Sequence, residues 1–280
     1  MGNMADCQEL KNSGSKNIII LPIIIFVLLF SNKMMAQCDS VNLNDSVSGT
    51  IHDIHRKWVE SRYVYESIVP VSLALGSVAI LSIPGLKVSL QKPLIWNYNP
   101  ATTGTYINLY ENEIRFFPVV AAYVISFCGV KSKHRFIDRS IILAFSYIAS
   151  DFVVYNGKLL TKSLRPPGRT YTLIQDIYSL PSQHTAMAFV AATFLDHELG
   201  YISPWISAGG YAAATWVGIA RIANNYHWTS DVLMGAAVGI LMTNATYWAY
   251  DGVMKLFPKK LSIAPMLAPQ QTGIYLCYNF

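Results

Sequence analysis

Two histidines, three cations and one carboxylate recur in three short blocks of this 280-residue chain. The first block holds Lys158, Arg165 and Pro166. The second is Pro181-Ser182-Gln183-His184. The third holds Arg221, His227 and Asp231, with Ala220, Asn225 and Trp228 beside them. These residue types suit attack on a phosphate. A phosphomonoester repels nucleophiles until its oxygens are neutralised. Lys158, Arg165 and Arg221 can neutralise them, the arginine forks binding oxygens in pairs. Ser182 and Gln183 fall at a helix start, where backbone N–H groups make a natural anion site. His227 can attack phosphorus through one ring nitrogen if the other is held. Asp231, four residues on and so on the same helix face, is placed to accept that second N–H. His184 then serves as general acid for the leaving alkoxide, and as base for the water that splits the phosphohistidine. No step of that scheme uses a metal ion or an organic cofactor.

The elements that must position these groups are apolar helices. Apolar segments run over Ser67–Leu86, Phe116–Val130, Ser140–Tyr155, Thr185–Leu195, Pro204–Ile222 and Trp228–Tyr250. Several are shorter than the ~20 residues a bilayer needs. Pro166-Pro167-Gly168 stops the third segment. Pro181 and Ser182 open the fourth. In an antiparallel bundle the third segment ends, the fourth begins, the fifth ends and the sixth begins at one end. All three blocks therefore meet. The expected fold is an all-α bundle of about six apolar helices, mostly membrane-embedded. Residues 63–258 form the helical domain, with a core over 116–250. Residues 87–115, rich in Asn, Thr, Tyr and Pro, read as a loop. His197 and Glu198, at the far end of the fourth helix, read as solvated.

Composition agrees. The chain is 52% hydrophobic and 13% charged, against about 25% charged in a soluble domain. A net charge of +5 suits an anionic lipid surface or a phosphate. It does not suit nucleic acid, because no long Lys/Arg run is present. Cys7, Cys38, Cys128 and Cys277 have neither disulfide-framework nor zinc spacing. Residues 1–36 read as a signal peptide, with Lys11 and Lys16 before the apolar run Asn17–Phe30 and Ala36 before the cut. An uncleaved anchor is the alternative. Residues 37–62 are a polar segment. Residues 259–280 are a tail in which Ile274, Leu276, Tyr278 and Phe280 alternate with Tyr275, Cys277 and Asn279, a strand-like pattern. Lys131, Lys133, Arg135 and Arg139, and again Lys255, Lys259 and Lys260, lie at the helix ends opposite the three blocks. The positive-inside rule then turns the blocks to the periplasmic face of a bacterial inner membrane. Strict alternation from a cleaved signal would turn them inward, unless Ser67–Leu86, with Pro70 and Pro84, does not span.

The three blocks resemble the signature of the type 2 phosphatidic acid phosphatase superfamily. Lys158 with Arg165-Pro166 matches its first motif in full. Pro181-Ser182-Gln183-His184 matches three positions of its Pro-Ser-Gly-His, and Ala220-Arg221 with His227 and Asp231 matches all but the first residue of its third motif. The likeness covers about residues 116–250. It implies His227 as nucleophile, His184 as acid and Asp231 as the orienting carboxylate. It also implies Lys158, Arg165, Arg221 and Ser182 as the phosphate cradle, where Gln183 either narrows the close backbone approach that Gly gives or adds a side-chain amide donor. Gln183 in place of Gly and Ala220 in place of Ser bear on rate and substrate choice. The surrounding wording, including Asn224-Asn225-Tyr226-His227-Trp228, is similar to an envelope subgroup with lipid A phosphatase-like members. The resemblance implies a metal-independent phosphatase acting on a membrane lipid phosphate. Lipid A, undecaprenyl pyrophosphate and phosphatidylglycerol phosphate are candidates. A periplasmic soluble phosphoester and an inactive membrane protein are the rival readings. Oligomeric state is not legible.

Overall fold

Six apolar stretches become six long helices, and proline, glycine and small polar residues set their ends. The computed structural model describes residues 48–99, 104–105, 108–167, 177–256, 261–268 and 271–278. The proposed signal segment 1–36 lies outside them. Helix α1 spans Ser48–Ser82. Gly85, in the left-handed region at φ 79°, turns the chain into the short α2, Leu86–Gln91. Two-residue strands β1 (Tyr98–Asn99) and β2 (Gly104–Thr105) pair antiparallel. One turn, α3 (Glu111–Ile114), precedes α4 (Phe117–Phe127) and α5 (Phe136–Thr161). The bundle continues through α6 (Gln183–Leu199), α7 (Pro204–Ala223) and α8 (Thr229–Leu256). The tail is a pair of antiparallel strands, β3 (Leu261–Ala268) and β4 (Gln271–Tyr278); Phe280 lies outside the described residues. Residues 87–115, expected to be a loop, thus carry α2, a 3-10 turn at Lys92–Leu94, a strand pair and α3.

Helix α6 is the centre. Eleven of its 17 residues are buried, and they lie all around it rather than on one stripe, as an enclosed helix requires. It packs against α4, α5, α7 and α8. Ala122, Ile142, Phe194, Leu195, Leu199 and Tyr247 close one end of the core. Ala188, Ala192, Ala214 and Val217 fill the α6–α7 seam. Helix α1 lies antiparallel on α8. Ser77 Oγ donates to Ser230 O at 2.8 Å, while at the other end Trp248 Nε1 donates to Glu66 Oε2 at 2.6 Å.

The α6–α8 seam is the tightest. A Cβ on Gly235 would sit 2.6 Å from the carbonyl oxygen of Ser182, and one on Gly239 would overlap Ala186 O and meet Phe189 Cβ at 2.9 Å. Only glycine, one turn apart on α8, lets the two helices come this close.

The far end of α6 is closed by buried polar groups. Glu198, expected to be solvated, is fully buried. It accepts from His134 Nδ1 at 2.7 Å, His134 N at 3.0 Å and Tyr247 Oη at 2.8 Å. His197 stacks on Tyr247 at 4.1 Å and bonds Asn244. Helix-end position suggested water, but the α4–α5 turn folds over it. Arg139 also leaves the surface. It is buried and donates to Ser126 Oγ at 2.7 Å and Ser132 Oγ at 2.9 Å.

By length and composition one helix among the described residues, Thr229–Lys255, is long and apolar enough to cross a membrane. The pair Glu66–Ser82 and Leu86–Leu94 passes only when taken together, bent by 116°.

Gly235→Val should lower the thermal unfolding midpoint and activity together. The overpacking penalty is about 1–3 kcal/mol. Gly252→Ala, where a Cβ meets nothing within 4 Å, should leave the midpoint unchanged or raise it. Equal behaviour of the two variants in thermal melts would remove the special status of the α6–α8 seam.

Candidate active site

The three blocks meet where α5 ends, α6 begins, α7 ends and α8 begins. Two side chains named in the blocks hold them together. Asn225, itself in the left-handed region at φ 55°, donates from Nδ2 to Pro167 O at 3.0 Å. Trp228 Nε1 donates to Leu164 O at 2.9 Å. The first and third blocks are thereby joined. The second and third are joined by the Ser182 N–H, which donates to Asp231 O at 2.9 Å.

His227 lies at the centre, 1% exposed. Its Nε2 is 3.2 Å from Arg165 Nη1, which also donates to Tyr226 O at 3.1 Å. Arg165 has no acceptor atom, so Nε2 must present its lone pair and the ring proton sits on Nδ1. Nδ1 lies 3.1 Å from Ser179 Oγ. Ser179 Oγ in turn donates to Asp231 Oδ2. The order is therefore His227 Nδ1–H to Ser179 Oγ, and Ser179 Oγ–H to Asp231. The direct His227–Asp231 hydrogen bond expected from their spacing is not made. The atoms are 3.6 Å apart, because Asp231 turns back to cap α8, accepting from Trp228 N at 2.9 Å. Ser179 fills the gap. Its only mark in the sequence is a small polar residue two positions before Pro181.

Burial first, and then the charges of Arg165, Arg221 and Lys158, hold the His227 imidazole well below its ordinary pKa. All three block cations thus bear on one neutral ring. Lys158 is buried in the last turn of α5. Arg221 lies over the Tyr226 ring at 4.0 Å and pairs with Glu111 Oε1 at 3.5 Å.

Glu111 was not foreseen. It also accepts from Asn224 Nδ2 at 3.1 Å, and Asn97 Nδ2 donates to Asn224 Oδ1 at 2.6 Å. Gln91, another unforeseen residue, donates to His227 O at 3.0 Å and accepts from Thr229 N at 3.1 Å. It fixes the backbone that carries His227. These residues come from 87–115, whose composition gave no motif.

His184 sits in the first turn of α6. Its Nε2 bonds Asn112 Oδ1 at 3.0 Å, so the neutral ring carries its proton there and leaves Nδ1 open to accept another. Burial first, then Arg221, Arg115, His227 and Arg165, lower its pKa to about 2. A dianion bound among those arginines would offset their charge and raise it again.

Ser182 is fully buried. Its Oγ accepts from Thr185 Oγ1 at 3.0 Å, which lets its own proton be donated. Gln183 departs from expectation. Its amide donates to Asp151 Oδ1 on α5 at 2.5 Å. A side chain longer than glycine reaches the neighbouring helix, so the amide is spent there.

Ser179→Ala should lower kcat roughly 10- to 100-fold, the usual cost of losing a group that orients an imidazole. Thermal melts should stay close to wild type, and an unchanged kcat would refute the relay. Proton uptake by His184 should accompany oxyanion binding. Vanadate affinity should therefore rise as pH falls, since the bound state has the higher His184 pKa. His184→Gln should flatten that slope in a titration of inhibition against pH.

Residues 139–255 match the family model described as the PAP2 superfamily, the type 2 phosphatidic acid phosphatases. The lipid A 1-phosphatase of Porphyromonas gingivalis is 30% identical over 234 residues, 83% of this chain and 51% of that protein. The chain thus spans about half the length of that relative. LpxE of Aquifex aeolicus is 21% identical, with a TM-score of 0.41 over 57% of this chain and 94% of that one. A transmembrane PAP2-type phosphatidylglycerolphosphate phosphatase of Bacillus subtilis is 19% identical, with a TM-score of 0.46 over 68% of this chain and 98% of that one. With its three motif blocks brought to one end of a helical bundle, this chain carries a domain of the PAP2 superfamily.

Proposed function

We propose that this protein is a phosphatase that removes phosphate from a membrane lipid through a phosphohistidine, with the 1-phosphate of lipid A as the leading candidate. The observation that carries the reading is the state of His227. It is a buried neutral imidazole whose Nε2 lone pair faces Arg165, while Nδ1–H runs through Ser179 to Asp231.

Chemistry follows from that geometry. Arg165, Arg221 and Lys158 take the phosphate oxygens, and Arg165 brings one of them to within reach of Nε2. Nε2 donates its pair to phosphorus, and the P–O bond to the leaving group breaks. The imidazole becomes an N-phosphorylated cation, and Ser179 relays the Asp231 charge toward Nδ1–H. His184, protonated at Nδ1 once the phosphate is bound, gives that proton to the leaving oxygen. It next takes a proton from water. Hydroxide oxygen bonds to phosphorus, the P–N bond breaks, and the pair returns to Nε2. Phosphate leaves with all residues restored. Every proton and every charge is handled by side chains of this chain, so the proposed mechanism needs no metal.

A bilayer-borne substrate is supported by the outer face of α5. Ile141, Phe145, Ile148, Phe152, Tyr155 and Leu159 follow each other at spacings of four and three, and all are 40% to 68% exposed. A soluble monomer rarely leaves such a stripe to water. The lipid A 1-phosphatase relative agrees with a lipid substrate. In this reading the site faces the periplasm from the inner membrane, and the exposed Lys131, Lys133 and Lys255 face the cytoplasm.

Phosphate release in detergent micelles tests this with EDTA present throughout. The substrates are lipid A 1-phosphate, undecaprenyl pyrophosphate, phosphatidylglycerol phosphate and p-nitrophenyl phosphate. Wild type should turn over at least one lipid faster than the soluble ester. His227→Ala should lose about a thousandfold or more in kcat. Loss of wild-type activity with EDTA would overturn the metal-free mechanism, and faster turnover of the soluble ester would overturn the lipid substrate.

A further inference from the structure

Beside the His184 end of the site lies a cavity of about 470 Å³, lined by Arg115, Phe116, Tyr147, Gln183 and Met187. Local geometry explains it. Gln183 and Met187 are four apart on α6, and Tyr147 and Asp151 are four apart on α5, so each pair shares a helix face. The Gln183–Asp151 hydrogen bond of 2.5 Å ties those faces together and makes one wall. Arg115 and Phe116, at the entry to α4, line another side, the guanidinium lying 4.6 Å from the Phe116 ring centre.

Two groups in this cavity are equipped for a ligand. The Tyr147 hydroxyl is buried and has no hydrogen-bond partner among the described residues. Arg115 spends its Nε on Asn112 O at 3.1 Å, and the rest of its fork carries further donors. Asn112 is the residue whose Oδ1 holds His184 Nε2 at 3.0 Å. One residue therefore separates Arg115 from the proposed general acid. In an in-line displacement the leaving oxygen is opposite the nucleophile. His227 attacks from one side, so what lies beyond His184 receives the leaving group.

We propose that this cavity is a leaving-group subsite in which Arg115 and Tyr147 select substrates whose leaving group carries further hydrogen-bond-accepting oxygens. A sugar ring and a second phosphate both offer that chemistry. An alkyl chain does not. Gln183, where the resembled motif has glycine, shapes the wall instead of holding phosphate. The inference rests on the phosphatase reading above for its placement of the leaving group.

The test compares three substrates in the same micelles: dodecyl phosphate, dodecyl diphosphate and lipid A 1-phosphate. Each is assayed with wild type, Arg115→Met, Tyr147→Phe and Gln183→Gly. Arg115→Met and Tyr147→Phe should lower kcat/KM for an oxygen-rich substrate at least tenfold more than for dodecyl phosphate. Selective loss on the diphosphate identifies a second phosphate as the occupant, and selective loss on lipid A 1-phosphate identifies the sugar. Equal losses on all three, or no loss on any, overturn the subsite while leaving the phosphatase reading in place. Binding of the same three ligands to His227→Ala, read by calorimetry, separates the two ideas if turnover is absent. There, added Arg115→Met should weaken only the oxygen-rich ligands, by tenfold or more. An unaltered preference would overturn the subsite.

Discussion

Everything at the site depends on how closely α6 and α8 approach. Gly235 and Gly239 let the α8 backbone rest on Ser182 O and Ala186 O. With the helices that close, the Ser182 N–H reaches Asp231 O. The two helix starts become one unit, carrying His184 from one side and the Asp231 carboxylate from the other. Ser179, three residues upstream of that junction, is then placed between His227 and Asp231. A wider seam would leave Asp231 capping its own helix with nothing to pass its charge to the imidazole. Small residues are often described as passive spacers. Here they set the distance over which a relay can work.

Charge is the second constraint. Lys158 and Arg221 are buried, and burial of cations is costly unless they are balanced. Glu111 offsets Arg221, and the Tyr226 ring faces the guanidinium. Burial first, and then the positive field that remains, keep both histidines neutral. A neutral nucleophile has its lone pair ready, whereas a general acid must first gain a proton. One field serves both needs if the phosphate's own charge supplies the difference. In the proposed mechanism the substrate completes its own catalyst.

The stretch from Glu111 to Phe116 was the least legible part of the chain and has large consequences. Glu111 anchors Arg221, Asn112 holds His184, and Arg115 and Phe116 line the adjoining cavity. No spacing rule could reveal them, because they act on residues about 70 to 110 positions away in the sequence. Gln91 and Asn97 were hidden for the same reason. Conversely, Glu198 looked solvated because a helix end in isolation faces water. The α4–α5 turn that covers it is a tertiary event.

The amino-acid sequence by itself determined the six apolar helices, the helix ends at the motif blocks and the set of three cations, two histidines and one carboxylate. These are legible because proline, small caps and apolar runs act within a few residues. Antiparallel packing then made the meeting of the blocks a matter of counting. Only the tertiary structure decided how the groups connect. It inserted Ser179 between His227 and Asp231, sent the Gln183 amide to Asp151, and brought Glu111 and Asn112 over the site. The physical reason is the range of the forces. Helix boundaries are set by local backbone chemistry, but a hydrogen bond between helices depends on interhelical distances that glycine contacts fix to within a fraction of an ångström.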